Sequence, residues 1–523
     1  MKDRIEQAVA QALKDLGAEG NFVVERPRSM EHGDYATNAA LVAKLDAQTL
    51  ADKLGSIEGI QMVEVVGKFI NFRLSHDALK PKTPEISQTH AGKTILVEYT
   101  SPNLFKPLHI GNLIGNILGE SIARLYEAVG ADVKRLNYPS DIGLTIAKGV
   151  WGLEKLGLNP SDIAQLGKAY VAGNEAYEDG SAKDEIGLIN KALYEDSNPE
   201  WSELRQKGIA TSLKHLHELC ARLGTSGFDN EFFESQSGPL GQQIVKDNVG
   251  KVFEVSEGAT IYQGEHTRVF LNSQGLPTYE AKEVGLFELK ADAYPDFDMS
   301  ITVTGKEQTD FFRVVFDAIQ KLFPDKTAGK ILKHIPTSFL KLTTGKMSSR
   351  LGNTISGESL LADLTLAARD REDVAVGAIK YAILKSGSNR DIIFDPEKSL
   401  SLEGDSGPYV QYALVRARSL LRKAKDAKRT TVTEDPGHTP DVPLARILIH
   451  FPEAVVRAAQ EMEPHHVATY LTELAAEFNS WYAKEKVIVN GEILGVHADL
   501  IEAVEETMAQ GLHVLGIPAP EEM

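Results

Sequence analysis

The stretch Ile95-Leu96-Val97-Glu98-Tyr99-Thr100-Ser101-Pro102-Asn103-Leu104-Phe105-Lys106-Pro107-Leu108-His109-Ile110-Gly111-Asn112 decides the fold. Ile95, Leu96 and Val97 read as a buried strand, and Ser101-Pro102-Asn103 reads as a turn. From His109 the pattern becomes that of an amphipathic helix running to about Gly130. Strand, turn and helix in this order open a doubly wound α/β sheet, whose ligands bind at the carboxyl ends of the strands.

The start of that helix is suited to phosphate, because its first N–H groups lack intrahelical partners and its dipole is positive there. His109 and Asn112 flank one phosphate seat. Gly111 has no Cβ, so a base or ribose can approach the backbone closely. A second motif, Lys346-Met347-Ser348-Ser349-Arg350, lies far downstream between Gly345 and Gly352. Lys346 supplies a point cation, and Ser348 and Ser349 supply hydroxyl donors. Together the motifs describe an ATP site whose donors face the α-phosphate, each such donor being worth roughly 10²- to 10³-fold in rate. Either motif alone is weak: the first also occurs at plain helix starts, the second in solvated basic loops. Their order, with a strand before the first, makes the pair specific.

Outward from these motifs, 523 residues suit three or four domains. A hydrophobic content of 42% and a charged content of 25% are those of an ordinary globular chain, so no staple is needed. The single cysteine, Cys220, excludes an internal disulfide and a cysteine-based zinc site, and reads as a core thiol in a helix. No resident metal is expected. Met1-Lys2-Asp3-Arg4 runs into an amphipathic helix without an apolar signal region, and no apolar run reaches the roughly 18 residues of a membrane span. A cytoplasmic protein is therefore expected. The net charge of −18 argues against a nucleic-acid partner on average. Locally the balance reverses: Arg416, Arg418, Arg422, Lys423, Lys425, Lys428 and Arg429 face the single acid Asp426. Phosphate contacts depend on the local patch.

Three units are expected. Residues 1–80 form a small α+β domain: Ile5, Ala8, Val9, Ala12, Leu13 and Leu16 follow a helical period that stops at Gly17, and strands follow at 63–66 and 69–74. Lys80-Pro81-Lys82-Thr83-Pro84 reads as a linker. Residues 93–395 alternate strands and helices as a parallel sheet, with an insertion at about 160–275 whose first part, 160–225, is helical. The segments 228–231 and 260–271 are expected to return the chain to the sheet. Residues 400–523 read as a helical bundle with one loop at 430–443, and Tyr470, Leu471, Leu474, Phe478 and Tyr482 as its core.

With these motifs in hand, the chain resembles the class I aminoacyl-tRNA synthetases and, more closely, the arginyl-tRNA synthetase family over nearly its whole length. Ser101-Pro102-Asn103 with Lys106 has that family's form of the first-motif loop. Pro277-Thr278-Tyr279 with Glu283, then Val303-Thr304-Gly305-Lys306-Glu307-Gln308, resemble its amino-acid pocket. Gly407-Pro408-Tyr409-Val410-Gln411-Tyr412-Ala413 with Arg416 resembles the entry to its anticodon-binding helices. Glu31-His32-Gly33-Asp34-Tyr35-Ala36-Thr37-Asn38 and Phe69-Ile70-Asn71-Phe72 resemble its N-terminal domain, and 515–523 its terminus.

The resemblance implies a Rossmann-like class I catalytic domain that attaches L-arginine to tRNA(Arg) through arginyl-adenylate. ATP is the substrate, Mg²⁺ travels with it, and the protein is a monomer. His109, Asn112, Lys106 and Lys346 would be catalytic, with Gly111, Met347, Ser348 and Ser349 completing the ATP site. Glu98, Tyr279 and Glu283 would hold the guanidinium, because carboxylates accept its planar fork of donors well. Asn103, His109 and Gln308 would hold the α-amino and carboxylate end. Phe69, Asn71 and Phe72 would meet the corner of tRNA, and Tyr409, Gln411, Tyr412, Arg416, Arg418 and Arg422 its anticodon side. Taken singly, without the resemblance, Glu98 reads first as an exposed acid, Tyr279 as a core ring and Glu283 as half of a surface ion pair.

Three departures stand out. Asn112 replaces a second His, Glu283 replaces the commoner Asp, and Ser140-Asp141-Ile142-Gly143-Leu144-Thr145 replaces a Gly-Asp-Trp-Gly-Thr-Gln pattern, which leaves the role of Asp141 open. The chain also carries both Lys106 and Lys346, where many relatives have one of the two. Rival readings are a class I synthetase for lysine or glutamate, a simpler nucleotidylyltransferase, and a catalytically idle tRNA-binding paralogue. A glutamate pocket would want cations in place of Glu98 and Glu283.

Overall fold

The computed structural model describes residues 1–343, 356–388, 390–430 and 443–523. A five-stranded, wholly parallel sheet organises its middle. The strands lie side by side in the order Ile331–Thr337, Met299–Gly305, Thr94–Glu98, Asp132–Asn137, Asn230–Glu231. In chain order this is 5-4-1-2-3, so the winding reverses between Thr94–Glu98 and Met299–Gly305. Such a switch point opens a crevice beyond the strand ends. Glu98 and Gly305 stand at its two sides.

Strand alternation assigns the faces. Ile95 and Val97 bury against the helix Ile110–Ala128, hereafter the His109 helix, whereas Leu96 shares a second core with Ala281 and Val284 of the helix Tyr279–Ala293. Glu98, two residues after Leu96, therefore lies on the Tyr279-helix side.

Four helices, Leu144–Leu156, Ile163–Glu178, Lys183–Glu195 and Pro199–Arg222, separate the second and third strands of the sheet. Asn230–Glu231 does rejoin the parallel sheet. Residues 260–271 do not, which corrects the sequence expectation: Glu254–Ser256, Ala259–Gln263 and Thr267–Leu271 form a separate antiparallel sheet. The reason is local. Short links through Glu257-Gly258 and Gly264-Glu265-His266 can only make hairpins, while a parallel return needs a crossover of about a dozen residues or more.

The N-terminal unit has the helix Lys2–Asp15, packed by Ile5, Val9, Ala12 and Leu13, and a four-stranded antiparallel sheet ordered Val24–Glu25, Tyr35–Thr37, Phe69–Leu74, Ile60–Val66. The C-terminal part is built from Gly407–Lys425, Phe451–Glu461, His465–Lys484 and Gly495–Val514, with the shorter Pro443–Leu448. Tyr470, Leu471, Leu474 and Phe478 are buried in it and Tyr482 is half-buried. A small sheet of Lys428–Thr430, Glu492–Leu494 and Ile488–Val489 was not legible beneath the helical pattern. One apolar core runs from Ile95 through the His109 helix to Ile517, joining the sheet to these helices.

Candidate active site

The loop from Thr100 to His109 is held in a costly conformation. Thr100, Ser101 and Phe105 have φ of 75°, 37° and 67°, a region that L residues occupy at about 1–3 kcal/mol each. Fixed partners offset this. Ser101 N–H donates to Asn137 Oδ1 (3.1 Å), and Asn112 Nδ2 donates to the Thr100 carbonyl (3.0 Å). Phe105 N–H donates to Ser212 Oγ (3.1 Å), and the Phe105 ring is buried against the helix Pro199–Arg222. A Cβ on Gly208 would come within 2.2 Å of that ring, so only glycine admits it. Lys106 follows immediately, exposed, with Nζ 5.9 Å from the Tyr170 ring centroid.

His109 ends the loop as the N-cap of its helix, Nδ1 accepting from Gly111 N–H at 3.1 Å. Burial, and then the charge of Lys106, push its pKa down, so the ring is neutral near pH 7 and presents Nε2–H outward. Gly111 and Asn112 are half-buried beside it. The Asn112 amide is committed to Thr100, which leaves its oxygen for a ligand. Lys346, Met347, Ser348 and Ser349 lie outside the described residues. The chain resumes at Ser356, which bridges to His109, and Gly357 N–H donates to the Leu108 carbonyl at 3.0 Å. Ser356 and Gly357, the first described residues after the second motif, thus pack against the end of the first.

On the other face of the sheet lies a buried cluster with more acids than cations. Glu98, 2% exposed, forms an ion pair with Lys290, and Glu234 pairs with Lys282 at 2.6 Å. Glu280 faces Arg268 at 3.5 Å. Glu283 has no hydrogen bond or ion pair of its own among the described residues. Burial, and then the charge of Glu98, push its carboxyl up to about 8. Glu98 is therefore not an exposed acid and Glu283 is not half of a surface pair. Tyr279, at the first turn of the same helix, is 70% exposed and lies over Lys282 at 5.2 Å, so it is not a core ring.

Asn103 and Gln308 are exposed on opposite sides of the crevice, Asn103 bridging to Ser140 and Gln308 closing the short helix Lys306–Gln308. Asp141 accepts from Arg205 (2.6 Å) and from Ser235 N–H and Oγ (2.9 and 2.7 Å). It clasps the helical insertion to the helix Glu234–Asp247, which answers the question its altered motif raised.

Several residues of this cluster escaped the sequence reading. Lys290 stands seven residues after Glu283, a helical spacing that could have revealed it. Tyr138, hydrogen-bonded to Ser237 Oγ at 2.6 Å and shifted upward by burial and then by Glu283 and Glu234, comes from another element and left no signal. The same holds for Tyr194 of the insertion, whose pKa is raised by burial and which faces Lys282, Glu234 and Tyr279.

The tRNA candidates divide. Phe69 is 44% exposed, whereas Asn71 and Phe72 are buried. Gln411 is fully buried and donates to the carbonyls of Asp373 (3.1 Å) and Pro518 (2.8 Å). The side chains of Asn71, Phe72 and Gln411 face inward in the free chain. Arg418 is tied to Glu505 and Glu521, both at 2.8 Å, and to the carbonyls of Ala519 and Pro520. Arg416 stacks over Tyr412 (4.8 Å) and bonds Asn479; Tyr409 is half-buried, and Arg422 keeps a long contact of 3.9 Å with Glu521.

Comparison with known proteins agrees across the whole length. Residues 3–74 match the model of the arginyl tRNA synthetase N terminal domain, 75–396 that of the tRNA synthetases class I (R) catalytic domain, and 410–523 that of the DALR anticodon binding domain. The arginine–tRNA ligase of Oenococcus oeni is 32% identical over 552 residues, covering 96% of this chain and 95% of that protein. That of Clostridium perfringens is 28% identical, covering 100% and 99%. The arginyl-tRNA synthetase structure of Thermus thermophilus superposes with a TM-score of 0.82 at 26% identity, covering both chains fully. The phosphate-ready His109 helix, the acid-rich cluster behind it and matches to all three domain models lead to one assignment: the chain belongs to the arginyl-tRNA synthetase family of class I.

Proposed function

We infer that the chain is an arginine–tRNA ligase: it joins L-arginine to tRNA(Arg) at the expense of ATP. The observation that carries the arginine specificity is Glu283, an acid without a cation of its own beside Glu98. A guanidinium supplies the missing positive charge and a planar set of donors for both carboxylates. Substrates lacking it leave those acceptors unpaired, which in sites of this kind discriminates by roughly 10⁴-fold or more.

We propose the following roles. Arginine lies with its guanidinium at Glu98 and Glu283, beneath Tyr279, and its α-amino and carboxylate end toward Asn103, His109 and Gln308. ATP, carried with Mg²⁺, places its phosphates at the N-terminus of the His109 helix, near Gly111 and Asn112. The arginine carboxylate attacks the α-phosphate in line and pyrophosphate leaves. His109 Nε2–H, Lys106 and Lys346 stabilise the charge that develops on the phosphate oxygens, with Met347, Ser348 and Ser349 closing the ATP site. The terminal ribose hydroxyl of tRNA then takes the arginyl group from the adenylate.

For tRNA we propose Phe69 at the N-terminal unit and Tyr409, Tyr412, Arg416 and Arg422 on the helix Gly407–Lys425. Arg418 contributes only if its Glu505 and Glu521 pairs open. We propose a monomeric working unit in the cytoplasm, as the family resemblance implies.

ATP–pyrophosphate exchange with arginine, lysine and glutamate in turn, with and without total tRNA, tests the reading. Exchange with arginine alone is expected. Exchange with lysine or glutamate in its place, or none under any condition from a folded chain that binds tRNA, would overturn it.

A further inference from the structure

One face of the His109 helix carries Asn112, Asn116, Glu120 and Arg124, one residue per turn. Asn116 and Glu120 are fully buried. A polar stripe inside a core is costly unless every group is bonded, and this one is bonded along its length. At its start, Asn112 holds the Thr100 carbonyl. Asn116 Nδ2 donates to Thr100 Oγ1 (2.9 Å), and its Oδ1 accepts from Thr225 Oγ1 (2.7 Å). In the middle, Glu120 accepts from Tyr99 (2.7 Å), Arg124 (2.6 Å), Ser226 (3.0 Å) and Arg135 (3.1 Å).

At its far end, about 18 Å away at 1.5 Å per residue, the stripe meets the last helix of the chain. Arg124 donates to the carbonyls of Gly224 (2.9 Å) and His513 (3.1 Å), and Ser121 Oγ to that of Val514 (3.4 Å). Lys380 Nζ, from the helix Glu372–Leu384, donates to the Gly516 carbonyl at 2.6 Å. The carbonyl end of Gly495–Val514 is a negative pole with unpaired acceptors. Here the Arg124 guanidinium, the Lys380 amine, whose pKa burial pushes down to about 7, and the Ser121 hydroxyl cap it.

We propose that Asn116 and Arg124 are positioning residues for adenylate formation. Arg124 fixes the His109 helix against the C-terminal helix, and Asn116 transmits that register to the left-handed Thr100 turn, hence to Asn112 and His109. Asn116 is sealed from the crevice, so it acts only through Thr100. The proposal rests on the functional reading above and adds to it the route by which the seating of the C-terminal helices reaches the ATP loop.

The test is a double-mutant cycle of Asn116→Ala and Arg124→Met in arginine-dependent ATP–pyrophosphate exchange. The kcat and the KM for ATP and for arginine are measured separately, and folding is checked by circular dichroism and melting. Each single variant is expected to lose roughly 10- to 100-fold in kcat, with a smaller change in the arginine KM, because only the α-amino and carboxylate end of arginine meets His109 while its guanidinium lies on the other face of the sheet. The double variant is expected to lose little more than the worse single, and Arg124→Lys to recover part of the rate. If Arg124→Met does not fold, Arg124→Lys replaces it in the cycle. A double loss equal to the product of the single losses, as for independent sites, would overturn the proposal. So would variants whose lost activity follows only the unfolded fraction. No exchange by the unmodified chain would overturn the functional reading and this proposal together, whereas multiplicative losses from an active parent would sink the proposal alone.

Discussion

If Glu283 holds the guanidinium as proposed, it sets the pH dependence of arginine binding. Its carboxyl, raised to about 8 by burial and by Glu98, is mostly protonated at neutral pH in the free chain. Arginine binds the ionised form, so its arrival expels a proton. Affinity should therefore rise with pH, by at most about tenfold per unit, and level off above the free-chain value. The same shift has the opposite sign for folding. The unfolded chain ionises this group first, so its contribution to stability falls as pH climbs from the ordinary carboxylate range toward 8. Calorimetric titration of arginine in buffers of unlike ionisation enthalpy checks the first claim. Proton release is expected near pH 7, and Glu283→Gln should abolish it while weakening binding roughly 10- to 150-fold; proton uptake would refute the assignment. A second residue-scale prediction concerns the two lysines. With both Lys106 and Lys346 present, either can stabilise α-phosphate charge, so Lys346→Ala should lose much less rate than the Lys106→Ala, Lys346→Ala pair. Equal losses in single-turnover adenylation would show Lys346 to be the sole cation.

Among the elements, the insertion is fixed to the active-site loop by a ring. Phe105 fills a slot that Gly208 keeps open on the helix Pro199–Arg222. Phe105→Ala should cost about 3–5 kcal/mol and raise the KM for ATP, because Lys106 loses its fixed neighbour. Gly208→Ala should cost about 1–3 kcal/mol by overpacking, yet be nearly harmless in the Phe105→Ala background, where its methyl enters vacated space. Urea denaturation of the four chains decides; the same penalty for Gly208→Ala in both backgrounds would mean that ring and glycine do not meet. This contact was unreadable in the sequence, since a glycine inside a helix announces no partner. The strand at 95–97 and the His109 helix were readable, because apolar runs and helical periods follow from burial on one side. Asn230–Glu231 rejoins the parallel sheet as its sequence leads one to expect, whereas the antiparallel hairpins at 254–271 resemble sheet strands in composition alone. The acid cluster draws on several elements: motif matches point to Glu98 and Glu283, but Lys290, Glu234 and Tyr138 reach it from outside the matched motifs. Gln411 lies inside a recognised motif but is buried, its two carbonyl partners at Asp373 and Pro518 lying far away in sequence. The stripe Asn112, Asn116, Glu120, Arg124 has a plain spacing of four, which ordinarily marks a solvated face; only packing shows that it is buried.

At the scale of the whole molecule, apolar cores and named units do not coincide. The core that begins beneath the sheet at Ile95 continues through the helix Glu372–Leu384 into the C-terminal helices and ends at Ile517. The N-terminal unit has its own core, built on Ile5, Val9, Leu50, Ile70 and Phe72, with Ile449 the outside residue packed against it among the described residues. It is tied to the C-terminal helices mainly by polar contacts: Arg26 with Glu473 at 2.6 Å, Tyr35 with Glu453 at 2.6 Å and Arg446 with Asp34 at 3.4 Å. The Arg26–Glu473 pair is partly exposed and contributes about 0–1 kcal/mol, whereas Tyr35 and Asp34 meet their partners in buried positions. A unit of this size buries only about 60% of its unfolded surface and is marginal alone. Scanning calorimetry should therefore give two transitions, a small early one for the N-terminal unit and a large one in which sheet and C-terminal helices melt together. Ile70→Ala should move only the first and Leu471→Ala only the second, each buried side chain being worth about 2–5 kcal/mol. A fragment of residues 400–523 should not fold, since its helices would expose the face they bury against the His109 helix. A single transition whose calorimetric and van't Hoff enthalpies agree, or a folded 400–523 fragment, would show that the cores are divided otherwise.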